Sequence, residues 1–350
     1  MFGRLVMASC LVLASVRPGS GQALFPLSLP LASQAATVSQ RIGLTDLSIT
    51  YHRPGVGGRT VWGGIVPYGQ VWRAGANENT VLTLGSDAIV GGVHVPAGSY
   101  GVHMIPTPKE WTIILSREHQ AWGSFFYDQK DDAARFTVTP VGAPFEERLA
   151  YTLDDPTETS VVATLRWEKL AVPFKIEVET PAVVLTSLQS QLHGAAGFNW
   201  RAFAQAATWC ATHKTGLDEA QAWADRAVTM NKSFASVRAQ SIVADARGDA
   251  AGARSLMTDA LALATEPDLN QYGYELLQGG KATQALDVFR QNVAAHPDSW
   301  NAHDSLGEAL ASTGDKTAAA AEYRKARGMV KDETNQKRID GILATLGGTK

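Results

Sequence analysis

At 350 residues the chain exceeds one typical hydrophobic core of about 100 to 200 residues, so two domains are expected. Hydrophobic and charged contents of 45% and 19% are those of a folded globular chain, and a formal charge of -3, without strong asymmetry between the halves, excludes a nucleic-acid partner held by bulk charge.

Arg4 is followed by an apolar run from Leu5 to Val16. The run is too short for a membrane span, which needs about 20 residues, and suits the centre of a signal peptide. No acidic residue precedes Asp46, and the small residues around Ser20 to Ala23 suit a cleavage site. Residues 1–36 are therefore expected to be a signal peptide and unstructured leader, which exports the mature chain to the periplasm or beyond. The segment before Cys10 is short for a lipoprotein box, so a lipid anchor is not expected. With the leader removed, Cys210 is the sole cysteine, and stability must come from packing without a disulfide.

Residues 37–180 read as strands. "DLSITYH" (46–52) alternates Leu47, Ile49 and Tyr51 with polar neighbours, and "TVLTL" (80–84), "WTIILS" (111–116), "RFTVTPV" (135–141), "SVVATLRWEKL" (160–170) and "FKIEVE" (174–179) are rich in β-branched and aromatic residues. Turn residues such as Gly57-Gly58, Gly91-Gly92 and Asp154-Asp155-Pro156 separate them. Roughly nine or ten short strands at this spacing predict an antiparallel β-sandwich or jelly-roll-like domain.

After a linker at 181–198 the pattern changes to alanine-rich helices through residue 345. Gly273, Gly280, Ala285 and Phe289 recur 34 residues later as Gly307, Gly314, Ala319 and Tyr323. That is the tetratricopeptide period, with small residues where paired helices cross and a large ring behind them. "SLGEALASTGDKTAAAAEYRKA" (305–326) closely resembles the tetratricopeptide helix-turn-helix, and about four helix pairs are expected, the first two degenerate. Such arrays offer a concave surface suited to a peptide or protein partner.

The β half resembles a bacterial family known as domain of unknown function 2911. The resemblance spans about residues 38–180 and rests on "SQRIGLTDLSITYHRPGVGGR" (39–59), "VPYGQVWRAGANENT" (66–80), "VPAGSYGVHMIP" (95–106), "EWTIILS" (110–116), "AWGSFFYD" (121–128) and "LRWEKLAVPFKIEVE" (165–179). It implies an exported protein, in some members with a helical-repeat tail, and it implies no activity.

The densest polar run is "WRAGANEN". Arg73, Asn77 and Glu78 lie within six residues, and a guanidinium, an amide and a carboxylate can together hold a polyol or carboxylate. Alternatively, Arg73 and Glu78 pair with each other across a strand end. Gly75 is expected to give the turn its backbone freedom. Trp72, Trp122 and Tyr127 either line a groove or pack in the core, whereas Trp111, in a clear strand, is expected in the core. His103 shares a strand face with Gly101 and Ile105 and is a candidate acid-base partner for Glu78, against the plainer reading of a hydrogen-bonded histidine. His52, His94, His103 and His119 form no compact metal motif, so neither metal nor cofactor is expected. Neither Gly-x-Ser-x-Gly nor a phosphate-binding Gly-x-x-x-x-Gly-Lys occurs.

Two functions remain. The first is an exported binding or scaffolding protein, with a small polar or carbohydrate-like ligand on the β domain and a protein or peptide partner on the repeats. The second is an envelope hydrolase or isomerase of a sugar or polar substrate, with Glu78 and His103 as acid and base and Arg73 holding an anionic group.

Overall fold

The computed structural model describes residues 30–347. The expected signal peptide and most of the leader lie outside the described residues. The chain divides into two compact units, one holding the segment up to Gln40 and Asp46–Glu177, the other Arg41–Thr45 and Val178 onward.

The first unit is built from β1 (Gln34–Ile42), β2 (Thr45–Arg53), β3 (Thr80–Leu84), β4 (Ala88–Val90), β5 (Val93–Val95), β6 (Gly98–Ile105), β7 (Trp111–Ser116), β8 (Asp132–Val138), β9 (Val141–Asp154) and β10 (Ser160–Val178). β1 takes up Gln34 to Ala36, residues whose sequence suggests the leader. The strands form two antiparallel sheets packed as a sandwich, one in the order β1-β2-β3-β6-β7-β8 and one in the order β5-β4-β10-β9.

Period-two alternation explains the core. Leu47, Ile49 and Tyr51 of β2, Leu82 and Leu84 of β3, Val102 and Met104 of β6, and Ile113 and Leu115 of β7 are all buried. β10 departs from the sequence expectation of two strands, 160–170 and 174–179, because it runs unbroken for 19 residues. Its pairing with β9 shifts register on both sides of Glu168, which adopts φ +55°. Before that bulge the odd positions Val161, Ala163, Leu165 and Trp167 are buried; after it the even positions Val172, Phe174, Ile176 and Val178 are. The parity of the strand reverses across this irregular stretch, where β9 supplies the extra residues, and a parity reversal looks like a strand end in sequence.

In the second unit the expected linker contains a helix, α1 (Thr180–Leu192), and a 3₁₀ turn at Ala195–Phe198. Leu185 and Leu188 of α1 pack on the buried cluster of Ala207, Cys210 and Ala211. Four helix pairs follow: α2 (Trp200–Thr212) with α3 (Leu217–Met230), α4 (Phe234–Ala246) with α5 (Ala250–Ala262), α6 (Glu266–Gln278) with α7 (Ala282–Ala295), and α8 (Trp300–Ser312) with α9 (Lys316–Met329). α10 (Glu333–Gly347) packs on α9.

The turns are written into the sequence. Gly248 and Gly314 take φ +89° and +94°, and the aspartates that follow cap α5 and α9, Asp249 accepting from the Gly252 amide and Asp315 from the Ala318 amide. Where α6 crosses α7, a Cβ on Gly273 would lie 2.5 Å from Phe289, so glycine lets the helices approach over a ring that is fully buried. Gly307 and Tyr323 repeat the contact one unit later. The array is therefore tetratricopeptide-like. Among the described residues no helix is long and apolar enough to cross a membrane.

Candidate functional site

The run Arg73–Asn79 owes its shape to strand pairing. Trp72 exchanges two backbone hydrogen bonds of 2.8 Å with Met104, and Thr80 pairs with Val102. Seven residues thus sit opposite one, His103, and the chain must loop outward around it. Ala74 and Asn77 bear the left-handed turns, at φ +52° and +57°. Gly75, expected to supply that freedom, has no positive φ. It is glycine because a Cβ there would lie 2.6 Å from the Thr80 hydroxyl. The Ala74 carbonyl anchors the loop to the core, accepting from Thr80 Oγ1 at 3.1 Å and from the buried Tyr151 hydroxyl at 3.0 Å.

His103 faces away from Val102 and Met104, yet it is only 2% exposed, because the segment between β7 and β8 covers that face. The segment is closed at its base, where the Arg117 amide donates to the Asp131 carbonyl at 2.8 Å. It crosses β6 so closely that a Cβ on Gly101 would lie 2.7 Å from the Glu118 carbonyl oxygen. From it Ser124 Oγ reaches His103 Nδ1 at 2.8 Å, and the Tyr127 ring lies 5.3 Å from the imidazole. Gly123 lies against the Arg73 guanidinium, 2.6 Å from its Cζ to the position of an added Cβ, while Phe125 places its ring 5.5 Å from the same carbon.

On the far side of the imidazole stands Asn79, 5% exposed, whose Oδ1 and Nδ2 both lack a hydrogen-bond partner among the described residues. The Cβ position of Gly101 is 3.3 Å from Asn79 Nδ2 and 3.4 Å from His103 Nε2, so those two atoms flank one point. Nearby, Tyr127 donates to Asp132 Oδ1 at 2.9 Å, and Arg135 Nε donates to Asp132 Oδ2 at 2.9 Å. Burial pulls the His103 pKa down to about 4, with Arg73 acting in the same direction against Asp132. Burial, reinforced by the bond to Asp132, lifts the Tyr127 hydroxyl to about 12. Burial also lowers the Arg73 pKa.

Of the residues singled out in the sequence, Arg73, His103 and Tyr127 come together here. Glu78 does not: it is half exposed, and its Oε2 lies 3.3 Å from His52 Nε2. Neither the Glu78–His103 acid-base pair nor the Arg73–Glu78 clasp is assembled, because the left-handed turn at Asn77 separates Glu78 from both partners. Asn77 is engaged within the protein, its carbonyl accepting from Arg73 Nη1 at 2.5 Å and its Nδ2 donating to the Ser33 carbonyl at 3.1 Å. Trp72 packs with Trp62, Trp111 and Trp167, its ring 6.0 Å from Trp167 and stacked at 20°. Trp122 is 44% exposed on the covering segment, beside the more exposed Phe125 and Phe126.

Asn79, Ser124, Asp132 and Arg135 carry no signal in the sequence that would single them out. Asn79 lies in the same "GANENT" run, but nothing in the sequence distinguishes it from Asn77. Among the described residues no group of three or more His, Cys, Asp and Glu side chains is placed to hold a metal ion.

Residues 33–176 match the model of a family described as protein of unknown function (DUF2911). They form a DUF2911 domain. The buried polar cluster around His103 lies wholly within this DUF2911 domain. Among curated proteins none matches the chain.

Solved structures similar to the chain cover its other part. PilF of Pseudomonas aeruginosa is 17% identical over 42% of this chain and 67% of its own, with a TM-score of 0.27. YrrB, described as a TPR protein with an unusual peptide-binding site, is 13% identical over 45% and 81%, also at 0.27. MamA is 13% identical over 46% and 91%, again at 0.27. Scores this low add nothing to the helix pairs and glycine-aromatic crossings by which the array is recognised.

The array carries two adjoining cavities that share Arg238 and Ile242. One, of about 570 Å³, is lined mainly by α2 and α4, with Trp200, Trp209 and Arg238 in its wall. The other, of about 560 Å³, lies among α4, α5 and α6, where Arg238 pairs with Glu275 at 2.6 Å.

Proposed function

We propose that this is an exported binding protein whose β domain holds a small polar ligand at the buried polar cluster around Asn79 and His103, and whose helical array engages a peptide or protein partner. The observation that carries the ligand site is Asn79. A buried amide with neither hydrogen bond made costs about 1 to 3 kcal/mol, a cost a fold without a ligand would shed by placing an apolar residue there. Export is supported by the apolar run after Arg4, and the array's role by its two adjoining cavities.

Binding fits the site better than catalysis. Among the described residues His103 has Ser124 on Nδ1 and no carboxylate on Nε2 to orient it, and at a pKa of about 4 it is a weak base. The Glu78 carboxylate that an acid-base mechanism would require is engaged with His52.

The test is the thermal stability of the unliganded full chain against Asn79→Leu, a change that keeps volume and removes the amide. An equal or higher melting temperature is expected, since an unmet polar group is lost. A marked drop would make Asn79 a structural residue and would remove the basis for the ligand site.

A further inference from the structure

We infer that the two adjoining cavities of the helical array form one groove for an acidic peptide: an extended segment of a partner protein that carries aspartate or glutamate beside an aromatic or large apolar residue. This rests on the array being a partner-binding module and adds the chemistry of the partner.

Small side chains make the room. Ala204 of α2 and Ala235 and Ala239 of α4 line the first cavity, of about 570 Å³, together with Trp200, Trp209 and Ile242. Both indoles are braced: the Arg201 guanidinium lies 4.5 Å from the Trp200 ring, and the His213 ring stacks on Trp209 at 4.0 Å, its Nδ1 donating to the Trp209 carbonyl at 2.8 Å. An aromatic or large aliphatic side chain of the partner finds flat apolar contact there. The second cavity, of about 560 Å³, continues past Arg238 and Ile242, which line both, into the space among α4, α5 and α6. Each alone has the size of a small-molecule site, about 300 to 1,000 Å³. A compact molecule would fill one of them, whereas a stretch of chain spans both.

The charged groups of the two linings decide the class. The first holds Arg201, Arg238 and His213 and no carboxylate; the second holds Arg238, Arg254 and Lys281 with Asp245 and Glu275. Glu275 is committed, its Oε2 accepting from Arg238 Nη2 at 2.6 Å and its Oε1 from Gln271 Nε2 at 3.1 Å. Asp249, the neighbour of Ala250 in the second lining, is committed to the Gly252 amide. Arg201, Arg254 and Lys281 are left without an ion pair among the described residues, against Asp245 alone. This positive excess stands in a chain whose formal charge is -3, so it is local to the groove and complements a negatively charged segment. Asp245 favours a peptide over a nucleic-acid strand. The backbone N–H groups of an extended peptide can donate to it, whereas a phosphodiester backbone brings further negative charge against it.

The experiment selects peptides that bind the full chain from a displayed library of random heptapeptides, then measures the enriched sequences as synthetic peptides by fluorescence anisotropy. The protein is compared with Arg201→Glu, Arg254→Glu and Arg290→Glu. All three positions are exposed, which keeps folding out of the comparison, and Arg290 on α7 lies outside both linings and controls for the change of charge. Selection is expected to enrich Asp or Glu next to Trp, Phe or Leu. Replacing the carboxylates of an enriched peptide by amides should weaken binding about tenfold, and rising salt should weaken it further. Arg201→Glu and Arg254→Glu should each cost about tenfold in affinity, and Arg290→Glu less than about twofold. Enriched peptides without carboxylates would overturn the acidic class and leave the array as a peptide-binding module. Acidic peptides bound equally well by all three variants would overturn the groove as their site. No enrichment over the display scaffold would overturn the acidic peptide and the peptide-binding reading of the array together.

Discussion

The depressed pKa of His103 makes a prediction that can be worked through. The imidazole ordinarily titrates near 6.5 and in the folded protein near 4, because burial disfavours its charged form. As pH falls through 6.5 the unfolded chain takes up a proton that the native protein refuses until about pH 4, so protonation draws the equilibrium toward unfolding. Stability is full above pH 6.5 and falls between pH 6.5 and 4. Below that window both states are protonated and the loss from this group stops growing. A shift of this size is worth about 3 kcal/mol in total, and about 2 kcal/mol of it is gone by pH 5. Because the ring is 2% exposed, little solvent screening reduces the figure. The assay is urea denaturation of the full chain at half-unit steps from pH 7.5 to 4, followed by near-ultraviolet circular dichroism of the tryptophan cluster, beside His103→Gln. Carboxylates elsewhere titrate equally in both proteins, so the difference between the two curves isolates His103. It should change by about 3 kcal/mol across the window, the wild type losing more. Parallel curves would refute the inference that His103 is buried neutral beneath the covering segment, as would a His103 proton resonance titrating near pH 6.5.

Other expectations test the frame around the site. Gly273→Ala places a methyl 2.5 Å from the buried Phe289 ring and should cost about 1 to 3 kcal/mol in chemical denaturation. Gly307→Ala meets Tyr323 at 3.1 Å, and the gain in helix propensity of up to about 1 kcal/mol should leave that variant near wild type; equal losses from both would contradict the difference in closeness between the two crossings. Glu78→Gln removes a half-exposed partner of His52 and should move stability by no more than about 0.5 kcal/mol, while a loss of several would restore the buried clasp that the sequence allows. Tyr151→Phe deletes the hydroxyl that holds the Ala74 carbonyl and should cost about 1 kcal/mol, with faster amide exchange across residues 73–79.

Architecture was legible wherever one periodicity governed one element. The alternation of Leu47, Ile49 and Tyr51 fixes which face of β2 is buried without reference to any other strand. The 34-residue recurrence of Gly273 with Phe289 in Gly307 with Tyr323 reports a helix crossing directly, since both partners fall within one repeat. Periodicity misleads where a strand changes phase: the irregular stretch around Glu168 splits β10 into two apparent strands although the chain runs on.

The site was legible only in its local part, for a physical reason that extends to other β domains. Arg73 and Asn79 reach His103 because a seven-residue bulge is pinned on either side of it, at Met104 and Val102, and no spacing rule within residues 62–80 encodes the position of β6. Ser124 and Tyr127 arrive from a segment whose ends meet at Arg117 and Asp131, and Asp132 and Arg135 arrive through the register of β8 on β7, where Arg135 stands opposite Ile114, itself opposite His103. Hydrogen-bond supply and demand then separate residues that look alike in sequence. Asn77 and Asn79 are two positions apart, yet Asn77 is engaged through its Nδ2 and its carbonyl, whereas both side-chain polar atoms of Asn79 are buried with nothing to bond among the described residues. Sequence supplies the functional groups; register decides which of them the fold leaves unsatisfied, and the proposed ligand site rests on that unsatisfied amide.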